Sequence, residues 1–184
     1  MIKPYVFLMF LFFSKSVFGF DLNTIQFGYA VPSTSIKVGN LETSSKFNQY
    51  TLKGDLKFKE LPTYFLGLEL NHFANQSNFN YQNILLTFNK VHYFNDYWAI
   101  SAEVKYGLGF MRDHGSLYKT ESLQGSVLGL SSGLRYSLPS SPFSLGLNIN
   151  WLHQSHSKSF NGTNNYSSYV LKSISPQLLI IYHF

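Results

Sequence analysis

The stretch WAISAEVKYGLGF, residues 98–110, decides the fold class, because apolar and polar side chains alternate along its whole length. Apolar residues occupy the even positions from Trp98 to Phe110, whereas Ser101, Glu103 and Lys105 occupy odd positions. Successive residues of a β-strand point to opposite faces of the sheet. The stretch therefore predicts a strand with one apolar face and one polar face.

The same period of two recurs along the chain, which gives eight predicted strands in all. The predicted strands cover residues 24–31, 50–58, 64–71, 83–88, 98–110, 125–138, 143–153 and 174–184. The connections alternate in length: those at 59–62, 94–96 and 139–142 are short, and those at 32–48, 72–80, 112–122 and 154–168 are long and polar. Short turns at one end and long loops at the other are typical of outer-membrane barrels, with the short turns in the periplasm and the long loops outside the cell.

Composition agrees with this pattern, since 18% of the residues are aromatic and only 12% are charged. After residue 19 no unbroken apolar segment is long enough to cross a bilayer as a helix, so the apolar residues are spread over strands. We therefore expect an all-β protein, an eight-stranded antiparallel transmembrane β-barrel of the outer-membrane type, as one domain over residues 20–184. A barrel of eight strands has room only for its own side chains, which argues against a general diffusion pore.

Residues 1–19 are predicted to be a signal peptide, because Lys3 precedes the apolar run at 5–13 and small residues surround Phe18. Cleavage would remove Lys3 and Lys15 and lower the formal net charge from +5 by two, so the basic pI gives little support to a nucleic-acid partner. The chain has no cysteine and hence no disulfide. Export with these strands predicts a location in the outer membrane.

The alternative is a soluble secreted barrel of the lipocalin kind, whose apolar face would line a ligand cavity. Against it, the polar face carries glycines and a set of charges that suit a narrow lumen: Lys53, Asp55, Glu69, Glu103, Lys105 and Arg135. Aromatic residues also sit toward strand ends, where membrane girdles lie. The chain ends in alternating apolar residues up to Phe184, similar to the C-terminal signal that the outer-membrane insertion machinery recognises.

The seventh predicted strand ends in NWLHQSHSKSF, residues 150–160, where His153 and Ser155 keep the parity of the apolar residues before them. Both side chains should therefore face lipid at the level of the outer leaflet's head groups. A histidine and a hydroxyl two residues apart on one face are the minimum that a serine hydrolase needs. The alternative without catalysis is that these residues are polar because the strand leaves the membrane here.

Here the sequence resembles the lipid A 3-O-deacylases, small outer-membrane barrels also called the acyloxyacyl hydrolase family, through His153-Gln154-Ser155. The stretch at 132–155 is similar to that family's strands six and seven. The resemblance implies an esterase that removes an ester-linked acyl chain from lipid A of lipopolysaccharide, with Ser155 as nucleophile and His153 as general base. It implies no cofactor and no metal.

The family's catalytic glutamate is not matched, since Ser167 occupies the corresponding position and no acidic residue follows Glu121. The candidates left to orient His153 or to hold the oxyanion are Asn164, Asn165, Ser167, Glu121 and Asp113. The rival expectation is a non-enzymatic surface barrel with a role in adhesion, membrane integrity or surface binding. His153 and His156 are not expected to share a metal, because a spacing of three points them to opposite faces.

Overall fold

The computed structural model describes residues 21–38, 40–74, 79–113, 123–159 and 166–184. Its strands, in chain order, are β1 Asp21–Ala30, β2 Ser33–Val38, β3 Leu41–Lys46, β4 Asn48–Lys57, β5 Tyr64–Ala74, β6 Phe79–Tyr93, β7 Trp98–Asp113, β8 Leu123–Ser137, β9 Phe143–Ser159 and β10 Tyr166–His183. In this described part of the chain, no helical segment has the length and hydropathy needed to cross a bilayer.

Eight of the strands form a closed antiparallel barrel in the order β1, β4, β5, β6, β7, β8, β9, β10, and pairing of β10 with β1 completes the circle. This confirms the predicted fold class. Following paired residues once around the barrel from Gln26 leads back to the chain at Ile36, ten positions further on. A stagger of this size tilts the strands, and with eight strands it leaves a lumen only wide enough for side chains.

The segment predicted as a long first loop, 32–48, is instead an antiparallel hairpin of β2 and β3. The hairpin continues β1 and β4 beyond the interruption at Val31-Pro32, and β2 pairs with the part of β10 from Tyr169 to Ile174. The carbonyl of Pro32 accepts a hydrogen bond from the Phe47 amide across this interruption. The prediction was wrong because a strand can pair through its backbone even where neither of its faces is apolar. In this segment the strands therefore continue without an alternation of apolar and polar residues in the sequence.

Other strands also run further than their apolar alternation indicates. β5 reaches Ala74 and β6 begins at Phe79, while β9 reaches Ser159 and β10 begins at Tyr166. The loops predicted at 72–80 and 154–168 are therefore shorter than expected, and what remains of them, like residues 114–122, lies outside the described residues. These connections lie at the same end of the barrel as the β2–β3 hairpin, and we call this end the long-loop rim. The opposite end, with connections at 58–63, 94–97 and 138–142, is the short-turn rim.

The two faces of the wall are occupied as the alternation predicts. Outward side chains are apolar and exposed, for example Ile149 at 65% and Leu178 at 64%, whereas inward Lys105 is 1% exposed. Near the short-turn rim, aromatic rings contact one another on the outer face, with centroids 4.8 Å apart for Trp98 and Tyr136. An apolar outer wall with an aromatic girdle belongs to a barrel surrounded by hydrocarbon, so the lipocalin alternative is excluded.

We expect Leu147→Lys to lower the free energy of unfolding in lipid vesicles by about 2–4 kcal/mol, because it places a charge on the outer face near mid-membrane. The matched control is His153→Lys, on the same face of β9 but near the long-loop rim, where the cost should be at most about 1 kcal/mol. Urea titration in phospholipid vesicles measures both. Equal effects of the two variants would contradict the assigned depth of β9.

Candidate functional site

The middle of the lumen holds a network of buried charges. Lys53 lies 3.0 Å from Asp55 and also contacts Glu103. Lys105 lies 2.7 Å from Glu69 and 3.1 Å from Glu103, so Glu103 joins the two lysines. All five side chains are buried. Charges taken out of water are tolerated when they are paired, and this arrangement fills the lumen with its own counter-ions.

Apolar side chains close the lumen on both sides of this network. Toward the long-loop rim the inward positions hold one packed cluster: Phe47, Phe73, Tyr81, Leu85, Val127, Leu152 and Leu171. Within it, the rings of Phe73 and Tyr81 stack at 3.9 Å. Toward the short-turn rim, Phe65, Val91 and Ala99 form a second layer. The described lumen is therefore filled along its length, as expected for eight strands.

Sequence reasoning missed the first of these clusters, which we call the upper plug. Its members have the parity of polar positions, so the alternation of the apolar face does not reveal them. The sequence feature that indicates this cluster is an apolar residue at an inward position near the long-loop rim, such as Val127 or Leu152. Such residues gain nothing from lipid, and their burial in the lumen stabilises the barrel through packing.

His156 lies at the top of the lumen, beside the upper plug. It is completely buried, and neither ring nitrogen has a hydrogen-bond partner among the described residues. Two glycines make room for the ring: a Cβ on Gly109 would lie 2.9 Å from His156 Cε1, and one on Gly125 would lie 2.7 Å from Nδ1. Burial lowers the pKa of His156 from 6.5 to about 4, so the imidazole is neutral at ordinary pH.

His153 and Ser155 lie on the outer face of β9, as their parity predicts, and His153 and His156 point to opposite faces. Ser155 is exposed and His153 half-buried. The imidazole of His153 stacks on Trp151, with ring centroids 6.2 Å apart. Trp151 is the last apolar residue of this face, so the pair sits just above the hydrocarbon-facing wall.

Most of the remaining members of the predicted site lie outside the described residues. No hydrogen bond links His153 to Ser155 among the described side chains. Asn164, Asn165 and Glu121 lie outside the described residues, as does the side chain of Ser167, whose backbone pairs with Lys158. The same holds for the side chain of Asp113. These candidates for the orienting residue stay predictions.

The cross-strand neighbours of His153 are Leu128 on β8 and Lys172 on β10. Among the described carboxylates, the one on this face is Glu42 of β3, which accepts a hydrogen bond from Ser35. β10 and β2 lie between β9 and β3, so Glu42 is three strands away from His153. Among the described residues, the immediate charged neighbour of His153 is thus a cation, Lys172.

Comparison with known proteins identifies the fold. No protein-family model matches the chain, and no curated protein sequence matches it. The crystal structure of Neisserial surface protein A is similar, with a TM-score of 0.61, 10% identity, and coverage of 88% of this chain and 97% of that chain. The N-terminal β-barrel domain of Pseudomonas aeruginosa OprF is also similar, with a TM-score of 0.52, 8% identity, and coverage of 88% and 98%.

The chain therefore has the fold of the small outer-membrane β-barrels. At these identities the likeness extends to the fold alone. The resemblance to the lipid A 3-O-deacylases still rests on His153 and Ser155.

We expect the buried, neutral His156 to make the barrel less stable in mild acid. Between about pH 6.5 and pH 4 the unfolded chain takes up the histidine proton first, so the free energy of unfolding falls as the pH drops, by up to about 3 kcal/mol. Urea titrations at pH 7.5 and pH 4.5 should show that His156→Gln removes about this much of the pH dependence. An unchanged pH dependence in His156→Gln would refute the assignment.

Proposed function

We propose that this protein is a non-porous barrel of the Gram-negative outer membrane that acts through its outer wall and long-loop rim, by binding at the cell surface. Residues 1–19 serve as a cleaved signal peptide, and the Phe184 end serves as the signal for the insertion machinery. The observation that carries the proposal is the filled lumen inside an apolar outer wall: side chains block transport, so the surfaces left for function are those outside.

The long-loop rim offers such a surface. The β2–β3 hairpin extends the wall beyond the apolar band, and Glu42, Thr43 and Ser44 are exposed along it. Lipopolysaccharide forms the outer leaflet of this membrane, so its head groups are the first molecules that the rim meets. We therefore take lipopolysaccharide to be the protein's partner.

Cysteine labelling tests this location and orientation, because the chain has no cysteine of its own. In intact cells a membrane-impermeant maleimide should label Thr43→Cys, in the hairpin at the long-loop rim. It should label Glu60→Cys, in the turn at 58–63, only after the outer membrane is permeabilised. Labelling of Glu60→Cys alone in intact cells would mean the opposite orientation, and protection of both would place the barrel elsewhere.

A second candidate is the lipid A esterase, which the placement of His153 and Ser155 favours: both face lipid just above the apolar wall. In this mechanism His153 accepts the proton of the Ser155 hydroxyl while the serine oxygen attacks the ester carbonyl. The proton passes to the departing sugar oxygen, and water then releases the fatty acid from the serine. Backbone or asparagine amides would hold the oxyanion.

This second candidate needs a group that orients His153 against the adjacent Lys172. An uncharged residue from 164–167 would hold the tautomer but stabilise the imidazolium less than a carboxylate does. Loss of the acid's function costs about four orders of magnitude in known triads. Slow turnover is therefore part of the hypothesis.

Mass spectrometry of lipid A from expressing cells tests the esterase. The wild type should remove one ester-linked acyl chain, and Ser155→Ala and His153→Gln should remove none. Ser126→Ala is the matched control, since Ser126 is an exposed serine paired with Ser155 across β8 and β9. Spectra that are identical with and without the wild-type protein would exclude the esterase hypothesis and leave the binding function unaffected.

A further inference from the structure

Three lysines lie on neighbouring strands of the outer face at the long-loop rim. Lys172 is on β10, Lys37 on β2 and Lys46 on β3, which are consecutive strands of the wall. All three are exposed. Their outward direction follows from their neighbours, because Thr34 on β2 and Leu171 on β10, each of opposite parity, are fully buried in the lumen. We call these three residues the lysine patch.

The lysine patch begins where the apolar wall ends. Ile174, which is 62% exposed on the outer face, pairs with Ser33, and Ser33 pairs with Lys46. The next outward residues along the strands are Lys172 and Ser35, which are themselves paired. The ammonium groups therefore start at the depth of lipid head groups while their alkyl stems continue the apolar surface.

The spacing allows the lysines to act together. Lys172 is opposite Ser35, and Lys37 is two positions further along β2, a diagonal separation of about 7–8 Å. Lys46 lies one strand beyond, opposite Ser33, and is therefore further from Lys37. Lysine side chains are long and flexible, so Lys172 and Lys37 can approach one phosphate while Lys46 reaches a second, neighbouring one. Glu42, the carboxylate described on this part of the face, lies opposite Lys37 on β3 and accepts a hydrogen bond from Ser35. One carboxylate beside three lysines leaves the patch with a net positive charge.

We infer that the lysine patch is a binding site for the phosphate groups of lipid A, with the acyl chains lying against the wall around Trp151 and Ile174. Two properties of the surface select this occupant. Clustered ammonium groups complement a phosphate, and the apolar wall directly beneath them suits a molecule that carries acyl chains on the same body as its phosphates. The inference rests on the proposed function, since it names the group that the rim binds.

Lipid A binding by the purified protein in non-ionic detergent tests the inference, with diphosphoryl lipid A and enzymatically dephosphorylated lipid A as probes. Native mass spectrometry or a fluorescence titration gives the dissociation constants. Replacing Lys37, Lys46 and Lys172 together by glutamine should weaken binding of diphosphoryl lipid A by about tenfold to a hundredfold, since one lysine near an anionic lipid surface is worth up to about a fivefold change. The three arginine substitutions at the same positions should restore binding, and added salt should weaken it in the wild type.

The matched control changes the same charge at the other end of the barrel, with Lys57, Lys59 and Lys90 replaced by glutamine. This variant should stay within about twofold of the wild type, since Lys59 and Lys90 are exposed, Lys57 is half-buried, and all three lie at the other end of the barrel from the site. Far-UV circular dichroism confirms that each variant is folded.

Wild-type affinity in the triple variant of the lysine patch, or an equal loss in the control variant, would overturn the inference. So would equal binding of dephosphorylated lipid A, which would show apolar contact alone. Failure here leaves the labelling result at Thr43 and Glu60 unaffected, so the inference and the proposed function fail separately.

Discussion

Closure of the backbone ladder between β1 and β10 is the constraint on which the rest of the structure depends. In hydrocarbon there is no water to satisfy an unpaired amide or carbonyl, so a sheet can cross a membrane only if it has no free edge. The register from Thr24 with His183 to Ala30 with Gln177 supplies these last bonds. Once the circle is closed with eight strands, the diameter, the tilt and the side of every residue are fixed together.

The narrow lumen that follows explains the layered interior. Inward side chains are removed from bulk water, so a buried charge is stabilised when it finds a partner inside the barrel. Lys53 and Lys105 find theirs in the three neighbouring carboxylates, and the apolar layers on either side keep this network away from water. Close pairing offsets part of the cost of burying charge. The same filling favours a function at the outer surface over transport through the described lumen.

The sequence predicted the parts of this fold that lipid imposes. Apolar alternation located all eight strands that cross the membrane, and it placed His153 and Ser155 on the outer face, because hydrocarbon demands an apolar residue at every second position. It failed beyond the membrane, where the β2–β3 hairpin pairs without any such demand. It also passed over the upper plug, because contacts such as that of Phe73 with Tyr81 depend on which strands become neighbours and how far they are staggered. The residues expected to orient His153 in an esterase lie in segments that alternation does not position.

Lys172 bears on both functions proposed for the long-loop rim, with opposite effects on phosphate binding and on esterase activity. It is paired with His153 across β9 and β10, so a proton accepted by the imidazole would appear next to an existing positive charge. In an esterase this neighbour raises the cost of the imidazolium unless a carboxylate lies on the other side. In a phosphate site the same neighbour is an asset, since a proton on His153 would add a fourth cation beside the lysine patch. A bound lipid A phosphate would neutralise Lys172 and thereby remove the charge that opposes the histidine. Phosphate binding at the lysine patch thus does not require catalysis, whereas the esterase proposed at Ser155 would depend on a bound phosphate to offset the charge of Lys172.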